Sequence, residues 1–318
     1  MRKSEIIQLS IVATIYNSSQ IIPSLVERIA NAAHTIGVTY EIILVDDGSR
    51  DDSAIVMESI SNADPRVKSI ILSRNFGQQI AMSAGIHHAN GEFVLIMDGD
   101  LQNPPEAIAD LYHEALKGFD IVYTKSIKKN NLLDSLTSLL FWKFLKIVMR
   151  VDIVDSQLMM RIMTSRVARL YRDYPEKIRT VAAITHDIGM KRSTIQVENG
   201  KREYGKSNYS TRKRLSLALD VILDFSNKPL DFVFTIGLFT LAATIVAMIY
   251  YLYSYLKMSV LPGFTSLILF IMFFGSINLI SIGVLARYIS NIYTEVKRRP
   301  LYLIFKTINI DHPHQISI

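Results

Sequence analysis

The sequence predicts an α/β domain with a mainly parallel, doubly wound sheet, followed by two C-terminal helices that span a membrane. Over the first 125 residues, short β-rich runs alternate with longer helical patterns, which is typical of βαβ units. The mean hydropathy of +0.23 is high for a chain of 318 residues that is 49% hydrophobic, so the apolar residues must be clustered. They cluster near the C-terminus, in two uncharged runs long enough to cross a hydrocarbon core of about 30 Å.

Five apolar runs are predicted as strands, and a helix-like segment follows each of the first four. The predicted strands are Leu9–Ile15, Glu41–Val45, Val67–Leu72, Glu92–Met97 and Asp120–Tyr123. In mainly parallel sheets, ligands bind beyond the carboxyl ends of the strands. The residues that directly follow the first four strands are polar, so this edge of the sheet is the predicted place for chemistry.

Two carboxylates, Asp98 and Asp100, stand on either side of Gly99 at the end of the fourth strand. Such oxygen ligands suit a hard divalent cation, Mg²⁺ or Mn²⁺, which keeps substrate phosphate oxygens as further ligands. An isolated Asp-x-Asp is more often a solvated turn, but its place at the edge of the sheet, near a second acidic pair, favours a metal and diphosphate site. A cation held there neutralises a leaving diphosphate.

The second acidic pair, Asp46-Asp47, follows the second strand and precedes Gly48-Ser49. Its carboxylates suit the N–H groups of a nucleotide base or the hydroxyls of a ribose, while Gly48-Ser49 turns the chain into the next helix. A dinucleotide site requires Gly-x-Gly-x-x-Gly after the first strand, and residues 14–19 contain no glycine. An NAD-type enzyme is therefore disfavoured.

The absence of cysteine and the mild net charge exclude several kinds of site and partner. The chain has no cysteine, which excludes disulfides, thiolate metal sites and cysteine nucleophiles. Lys and Arg number 35 against 29 Asp and Glu, a net charge of +6. This charge is too mild to indicate a nucleic-acid partner, and none is expected, but it suits a surface that rests on anionic lipid.

The two predicted spans are Phe232–Leu256 and Phe264–Ala286, joined by the short connection Lys257–Gly263 as a helical hairpin. Basic residues lie before the first span and after the second, with only Lys257 between the spans. Both termini are therefore predicted to be cytoplasmic. The N-terminus lacks the features of a signal peptide.

Four motifs together resemble those of a known family. They are Val45-Asp46-Asp47-Gly48-Ser49, Arg74-Asn75-Phe76-Gly77-Gln78, Met-Asp-Gly-Asp-Leu-Gln-Asn-Pro-Pro-Glu at 97–106 and Glu-Val-Lys-Arg-Arg-Pro-Leu-Tyr at 295–302. The chain resembles the family 2 GT-A glycosyltransferases that act on polyprenyl phosphate: dolichol-phosphate mannose synthases, bactoprenol glucosyltransferases and undecaprenyl-phosphate aminoarabinose transferases. The resemblance covers nearly the whole chain. It implies a GT-A catalytic domain and a metal-dependent, inverting transfer of a sugar from a nucleotide donor to a polyprenyl phosphate.

The resemblance also implies roles for individual residues on the donor side. Asp46 and Asp47 would hold the base and ribose, with Tyr16 nearby and Arg74 among the nucleotide-binding residues. The metal and diphosphate would be surrounded by Asp98, Asp100 and Gln102.

A second implied group of residues lies before the first span. Residues 202–209 match the family's Arg-x-x-Gly-x-Ser-x-Tyr loop, which would bring Arg202, Lys206 and Ser207 to phosphate groups. The alternative interpretation of this stretch is a basic linker to the membrane.

The chain departs from the family pattern in two places. The family usually has Pro-x-Tyr-Asn-Glu after the first strand, whereas residues 14–18 read Thr-Ile-Tyr-Asn-Ser. Near the acceptor site, Asp155 and Arg161 match the spacing of the aminoarabinose transferases, but the glycine between them is missing. Asp155 is the candidate base; because a phosphate monoester is already largely dianionic at pH 7, Asp155 would position the acceptor rather than activate it.

The predicted organisation has four parts. Residues 1–210 form a cytoplasmic glycosyltransferase domain, 211–228 an amphipathic juxtamembrane helix, 229–290 the two spans and 291–318 a cytoplasmic tail, all at the inner (plasma) membrane. The segments Leu132–Met149 and Thr211–Phe225 are amphipathic, and each is either an interface helix or an ordinary core helix. A homo-oligomer is expected, with the tail Tyr302–Ile318 adding a strand or exchanging between protomers.

Two other functions remain open at this point. Transfer to a hydroxyl of a lipid-linked oligosaccharide would require a base. A catalytically inactive membrane subunit of a glycan pathway is possible on the fold alone, although the intact Asp98 and Asp100 argue against it. A two-span transporter is disfavoured because neither span contains a charged residue. The sequence does not specify the donor sugar, but the closer resemblance to the bacterial enzymes favours a UDP-sugar.

Overall fold

The computed structural model of the chain describes residues 6–126, 157–174, 181–198, 264–297 and 299–310, together with isolated positions between 235 and 253. The chain divides into two compact units. The first unit contains the sheet and its helices, including the residues after 298, and the second contains the long apolar helix.

The described part of the first unit forms one eight-stranded sheet. Its strands are β1 (Leu9–Ile15), β2 (Tyr40–Asp46), β3 (Val67–Leu72), β4 (Phe93–Asp98), β5 (Ile121–Ser126), β6 (Gln157–Thr164), β7 (Arg192–Val197) and β8 (Ile304–Ile308). They lie in the order β7-β5-β6-β4-β1-β2-β3-β8. The central β4-β1-β2-β3 group is parallel, whereas β6 and β8 pair antiparallel to their neighbours.

Helices alternate with these strands, as in a doubly wound fold. They are α1 (Ile22–Ile36), α2 (Ser53–Ala63), α3 (Gln78–His88), α4 (Ala107–Ala115), α5 (Ser165–Asp173) and α6 (Val181–Asp187). All five predicted strands, and a helix after each of the first four, are confirmed. The tail adds β8 to the sheet beside β3 of the same chain, which was one of the two predicted possibilities.

The central strands are apolar along their length because helices cover both faces of the sheet. All seven residues of β1 are buried. Ile11 and Ala13 lie in the apolar cluster that includes Leu25 of α1 and Leu111 of α4. The alternate residue Val12 lies in the opposite cluster, with Met82 of α3. This two-sided core fixes the strand ends that carry the polar loops.

In the second unit, the described residues include the helix α7 (Phe264–Val296). Its segment Phe273–Thr294 is long and apolar enough to cross a membrane, by length and composition. It overlaps the second predicted span, and the isolated positions described between 235 and 253, inside the first predicted span, are helical. The amphipathic segments Leu132–Met149 and Thr211–Phe225, and the connection Lys257–Gly263, lie outside the described residues.

Candidate active site

A cleft of about 320 Å³ opens at the carboxyl edge of the parallel strands. It is lined by Thr14, Ile15, Tyr16, Ser18, Asp47, Asn75, Gly77, Gln78, Asp98, Gly99 and Asp100. Four residues predicted for the site therefore share one cleft: Tyr16, Asp47, Asp98 and Asp100.

Strand register brings the two acidic motifs together. The end of β1 lies between β2 and β4, with Ile15 opposite Asp46 and Thr14 opposite Asp98. The pairing continues past the strand ends, because the Asp47 N–H donates to the Ile15 carbonyl at 2.9 Å and the Gly99 N–H donates to the Thr14 carbonyl at 3.1 Å. The two motifs thus flank the end of a single strand, as the parallel arrangement predicts.

Asp47 fixes the loop between β3 and α3. Its carboxylate accepts hydrogen bonds from the N–H of Phe76 at 2.7 Å and from the N–H of Gly77 at 3.0 Å. Burial raises the pKa of Asp47 above the ordinary value, and these two N–H groups oppose the shift. Since Asn75, Gly77 and Gln78 line the cleft, Asp47 shapes the wall of the site besides facing it.

Gly48 allows the loop between β3 and α3 to lie against the backbone of the Asp46-Asp47-Gly48 motif. A Cβ on Gly48 would lie 2.3 Å from the carbonyl carbon of Arg74 and 2.5 Å from the nitrogen of Asn75, which no side chain allows. Gly48 also has φ of +67°, in the left-handed region that favours glycine. Gly48 therefore does more than turn the chain into α2: it lets the 74–77 loop lie directly on the acidic motif.

The Asp98 carboxylate is oriented by two side-chain amides. Gln78, the first residue of α3, donates from Nε2 to Oδ1 of Asp98, and Asn103 donates from Nδ2 to Oδ2 at 3.5 Å. The neighbouring Asp100 carboxylate accepts the backbone N–H of Gln102 at 3.1 Å.

Asp46 lies behind the cleft. It is 1% exposed, and both of its carboxylate oxygens accept from Ser49, whose backbone N–H and hydroxyl are the donors. Burial raises its pKa, opposed by these hydrogen bonds from Ser49. The Ser49 hydroxyl in turn accepts the N–H of Asn17 at 2.9 Å. Asp46 thus supports the loop after β1, which carries the half-exposed Tyr16 into the cleft.

Two arginines named in the sequence analysis lie in contrasting places. Arg74 is exposed outside the cleft lining, with its guanidinium 4.1 Å from the ring centroid of Phe76. Arg161, on β6, is 2% exposed and lies over the Tyr123 ring at 5.3 Å. Burial lowers the pKa of Arg161, whereas Tyr123 and Asp98 raise it. Arg161 is therefore a buried guanidinium on the strand next to β4, the strand that ends at Asp98.

Sequence reasoning missed seven of the residues that line the cleft, and four of these have polar side chains: Thr14, Ser18, Asn75 and Gln78. Asn75 and Gln78 lay in a quoted motif, and their position after β3 was the signal that could have identified them. Gln102 does not line the cleft. Asp155, Arg202, Lys206 and Ser207 lie outside the described residues, so their predicted roles remain predictions.

The donor set of the cleft suits a divalent cation that also binds a diphosphate. Within the part of the chain that the structure describes, no group of three or more His, Cys, Asp or Glu side chains could hold a metal ion by itself. Two carboxylates, Asp98 and Asp100, face the cleft. Mg²⁺ is commonly held by one or two carboxylates, with waters and substrate phosphates as the other ligands, so these two residues fit such an ion.

Comparison with known proteins identifies the class. The α/β fold, with an acidic cleft at the carboxyl edge of its parallel strands, is that of a GT-A glycosyltransferase. Residues 10–173 match the family described as glycosyl transferase family 2, and the chain belongs to this family.

The relatives extend over nearly the whole chain. An uncharacterized glycosyltransferase, YkcC of Bacillus subtilis, is 33% identical over 96% of this chain and 96% of its own. The undecaprenyl-phosphate 4-deoxy-4-formamido-L-arabinose transferase of Pectobacterium carotovorum is 32% identical over 99% of this chain and 98% of its own. Among solved structures, the crystal structure of a mycobacterial protein covers 68% of this chain and 72% of its own, at 17% identity and a TM-score of 0.50, and supports the fold.

Proposed function

We propose that this glycosyltransferase is membrane-bound and moves a sugar from a nucleoside-diphosphate donor, a UDP-sugar, to undecaprenyl phosphate or a similar polyprenyl phosphate. The observation that carries the proposal is the convergence of Asp47, Asp98 and Asp100 in one cleft at the carboxyl edge of the sheet. The acceptor follows from the Pectobacterium relative, whose name specifies undecaprenyl phosphate and which matches this chain over nearly its full length.

On the donor side, different residues of the cleft bind the nucleoside and the diphosphate. Asp47 and Tyr16 bind the nucleoside, with Asp46 holding the loop on which Tyr16 stands. Asp98 and Asp100 face the diphosphate and would hold Mg²⁺ or Mn²⁺ against it. Such a cation, when bound, neutralises the negative charge that develops on the departing nucleoside diphosphate. Gln78 keeps the Asp98 carboxylate directed at that position.

On the acceptor side, little proton transfer is required. The second pKa of a phosphate monoester is about 6, so at pH 7 the acceptor is largely dianionic and is its own nucleophile. We assign Asp155 to positioning the acceptor, and Arg202, Lys206 and Ser207 to orienting the phosphate groups of both substrates. One displacement at the anomeric carbon then forms the new phosphate ester bond, breaks the bond to the nucleoside diphosphate and inverts the configuration.

The membrane attachment belongs to the same proposal. The apolar segment Phe273–Thr294 and the uncharged run Phe232–Leu256 support a two-helix hairpin within 229–290. The basic flanks of the two runs favour a cytoplasmic location for both termini, for the 1–210 domain and for the 291–318 tail at the inner membrane. The amphipathic segments at 132–149 and 211–228 would lie in the interface, near the phosphate of a lipid acceptor. We retain the homo-oligomer as an expectation.

The proposal is tested with the full-length protein purified in detergent. The protein is incubated with UDP-sugars or GDP-sugars, undecaprenyl phosphate and Mg²⁺ or Mn²⁺, and the lipid fraction is analysed by mass spectrometry. We expect a UDP-sugar to give a sugar-phosphate-lipid product and EDTA to abolish it, whereas product from GDP-sugars alone would overturn the assignment of the donor. Absence of product with every donor contradicts the proposal and favours an inactive subunit.

Three further tests separate the proposal from its rivals. Undecaprenol lacks the phosphate and should give no product, because the proposed nucleophile is a phosphate oxygen. If product forms only with a lipid-linked oligosaccharide, the acceptor is a hydroxyl and the polyprenyl-phosphate assignment is wrong. Asp100→Asn should remove activity while the protein keeps its melting temperature, because Asp100 lines an open cleft rather than the core.

A further inference from the structure

The tail that follows α7 reaches the wall of the cleft through the sheet. β8 pairs antiparallel with β3, and the Ser73 N–H donates to the Leu303 carbonyl at 2.9 Å. Ser73 directly precedes the 74–77 loop, of which Asn75 and Gly77 line the cleft. The tail therefore holds the point at which β3 gives way to this loop.

Tyr302 holds the same region from the side of α3. Its ring is 6% exposed and lies in the apolar cluster against which Phe76 and Ile80 pack. Its hydroxyl lies 3.0 Å from Nδ1 of His87, near the C-terminal end of α3, and the two rings are 5.8 Å apart. Since α3 begins at Gln78, one helix carries both the tail contact and the residue that orients Asp98.

The C-terminal end of β8 is also held in place. The side-chain amide of Asn309 donates to the carbonyls of Ser61 at 2.6 Å and Val67 at 2.8 Å. A strand anchored at both ends transmits position better than a frayed edge, because local opening would require several hydrogen bonds to break together.

We infer that the segment Leu301–Ile304, and Tyr302 above all, is a positioning element of the donor site. It holds the 74–77 loop and α3 so that the Phe76 and Gly77 N–H groups meet Asp47 and the Gln78 amide meets Asp98. The inference rests on the proposed function for its effect on nucleotide binding. Only residues 297–300 separate this segment from the end of α7, so the positioning element follows the apolar helix directly along the chain.

The test uses two substitutions and a control in the full-length protein. Tyr302→Phe removes the hydroxyl and keeps the packing, whereas Tyr302→Ala removes both. Phe305→Ala is the control, because Phe305 lies on the same tail but is 76% exposed. Melting temperatures identify any variant that fails to fold, and Tyr302→Phe decides the question if the alanine variant does not fold.

The first measurement is nucleotide affinity. Loss of one buried hydrogen bond predicts a rise of about threefold in the dissociation constant for UDP with Mn²⁺ in Tyr302→Phe. We expect a rise of about tenfold in Tyr302→Ala, which corresponds to 1.4 kcal/mol at 25 °C. The donor KM should rise in parallel, while the KM for undecaprenyl phosphate stays constant. Equal binding by wild type and both variants overturns the inference.

The second measurement needs no nucleotide. Amide hydrogen exchange in the peptide covering residues 74–78 should be faster in Tyr302→Phe than in wild type and unchanged in Phe305→Ala. If wild type binds neither UDP nor GDP, the proposed function fails, and hydrogen exchange still decides whether Tyr302 positions the loop. Unchanged exchange in both Tyr302 variants overturns the inference whatever the nucleotide results are.

Discussion

The side-chain amide of Gln78 donates a hydrogen bond to Oδ1 of Asp98, so the first residue of α3 orients an acid at the end of β4. We predict that Gln78→Ala lowers kcat/KM for the donor by about tenfold, since a hydrogen bond to a charged group contributes about 1.5 kcal/mol or more. Gln78→Glu should be worse, because it places a second negative charge against Asp98. Steady-state kinetics at fixed Mn²⁺ measure both.

Gln196→Ala is the matched control for this pair. Gln196 is exposed on β7, at the far edge of the sheet from β3, and takes no part in the cleft. Its substitution should leave the donor KM and kcat unchanged. Equal kinetics for Gln78→Ala and Gln196→Ala would show that Asp98 does not depend on the amide.

Substitution of Asp100, in the Asp-x-Asp motif, and of Asp155, the candidate acceptor-site acid, should affect transfer differently. Asp155→Asn is predicted to keep measurable transfer at pH 8, because the acceptor phosphate is already ionised. Asp100→Asn should show none, because it removes a carboxylate that faces the diphosphate and its cation. Product formation over hours, measured for both variants at pH 8, compares them. Equal and complete loss in both variants would mean that Asp155 acts as an essential base.

The raised pKa of Asp47 leads us to expect that donor binding depends on pH. Burial raises its pKa above the ordinary 3.8, the neighbouring Asp46 charge raises it further, and the Phe76 and Gly77 N–H groups and Arg74 oppose the shift. Protonation removes the negative charge that strengthens the hydrogen bonds from the two amide N–H groups, so donor affinity should fall on acidification at a higher pH than a surface carboxyl would titrate. Titration calorimetry with UDP and Mn²⁺ at a series of pH values measures this fall.

The effect of Asp47 on folding has the opposite sign. A pKa raised in the folded state means that the folded protein binds the proton more tightly than the unfolded chain. Relative to Asp47→Asn, the wild type should therefore gain stability as the pH falls through the folded pKa toward 3.8. Melting temperatures of the two proteins across this range give the difference. A wild type that loses stability relative to Asp47→Asn in this range would contradict the raised pKa.

The sequence was sufficient for the parallel core and for the acids at its edge. The apolar runs that became β1 to β4 are buried on both faces, and a run buried on both faces can be recognised without knowing its neighbours. The carboxyl ends of parallel strands lie at one edge of the sheet. The sequence alone could therefore predict that Asp47, Asp98 and Asp100 lie close together, as they do in the cleft.

The contacts that depend on tertiary packing could not be predicted in this way. Gln78 reaches Asp98 only because α3 starts where the 74–77 loop has been drawn against Gly48 and Asp47, which no local pattern encodes. The strand β7 has alternating exposed and half-buried residues before its last position, so it gave no apolar run to detect. The sequence also left open whether the tail adds a strand to its own sheet or exchanges between protomers. An open sheet edge can pair with a strand of either chain, and the sequence of that strand does not determine which.

A buried ion pair at the other end of β2 should govern stability rather than activity. The Glu41 carboxylate lies 2.6 Å from the Lys68 ammonium, with side chains 2% and 17% exposed, and also accepts the Asn90 N–H at 2.8 Å. Glu41→Gln should lower the free energy of unfolding by about 2 to 4 kcal/mol, because it leaves the Lys68 charge largely buried without its partner. The donor KM should not change. Glu58→Gln breaks an exposed pair with Lys306 and should cost less than about 1 kcal/mol, so similar losses in both variants would contradict this ranking.

Gly48 and Gly37 offer a matched pair of alanine substitutions. Both have positive φ, +67° and +71°, so Gly48→Ala and Gly37→Ala each place a side chain in the left-handed region at about 1 to 2 kcal/mol. Only at Gly48 does the new Cβ meet backbone, 2.3 Å from the Arg74 carbonyl carbon, whereas no atom lies within 4 Å at Gly37. Gly48→Ala must therefore push the 74–77 loop off Asp47, and we expect the donor KM to rise by about tenfold or more, the equivalent of at least 1.4 kcal/mol. Gly37→Ala should lower the melting temperature alone. Kinetics and melting curves of both variants measure the contrast, and a normal donor KM in a folded Gly48→Ala protein would show that the loop's close approach is not needed for nucleotide binding.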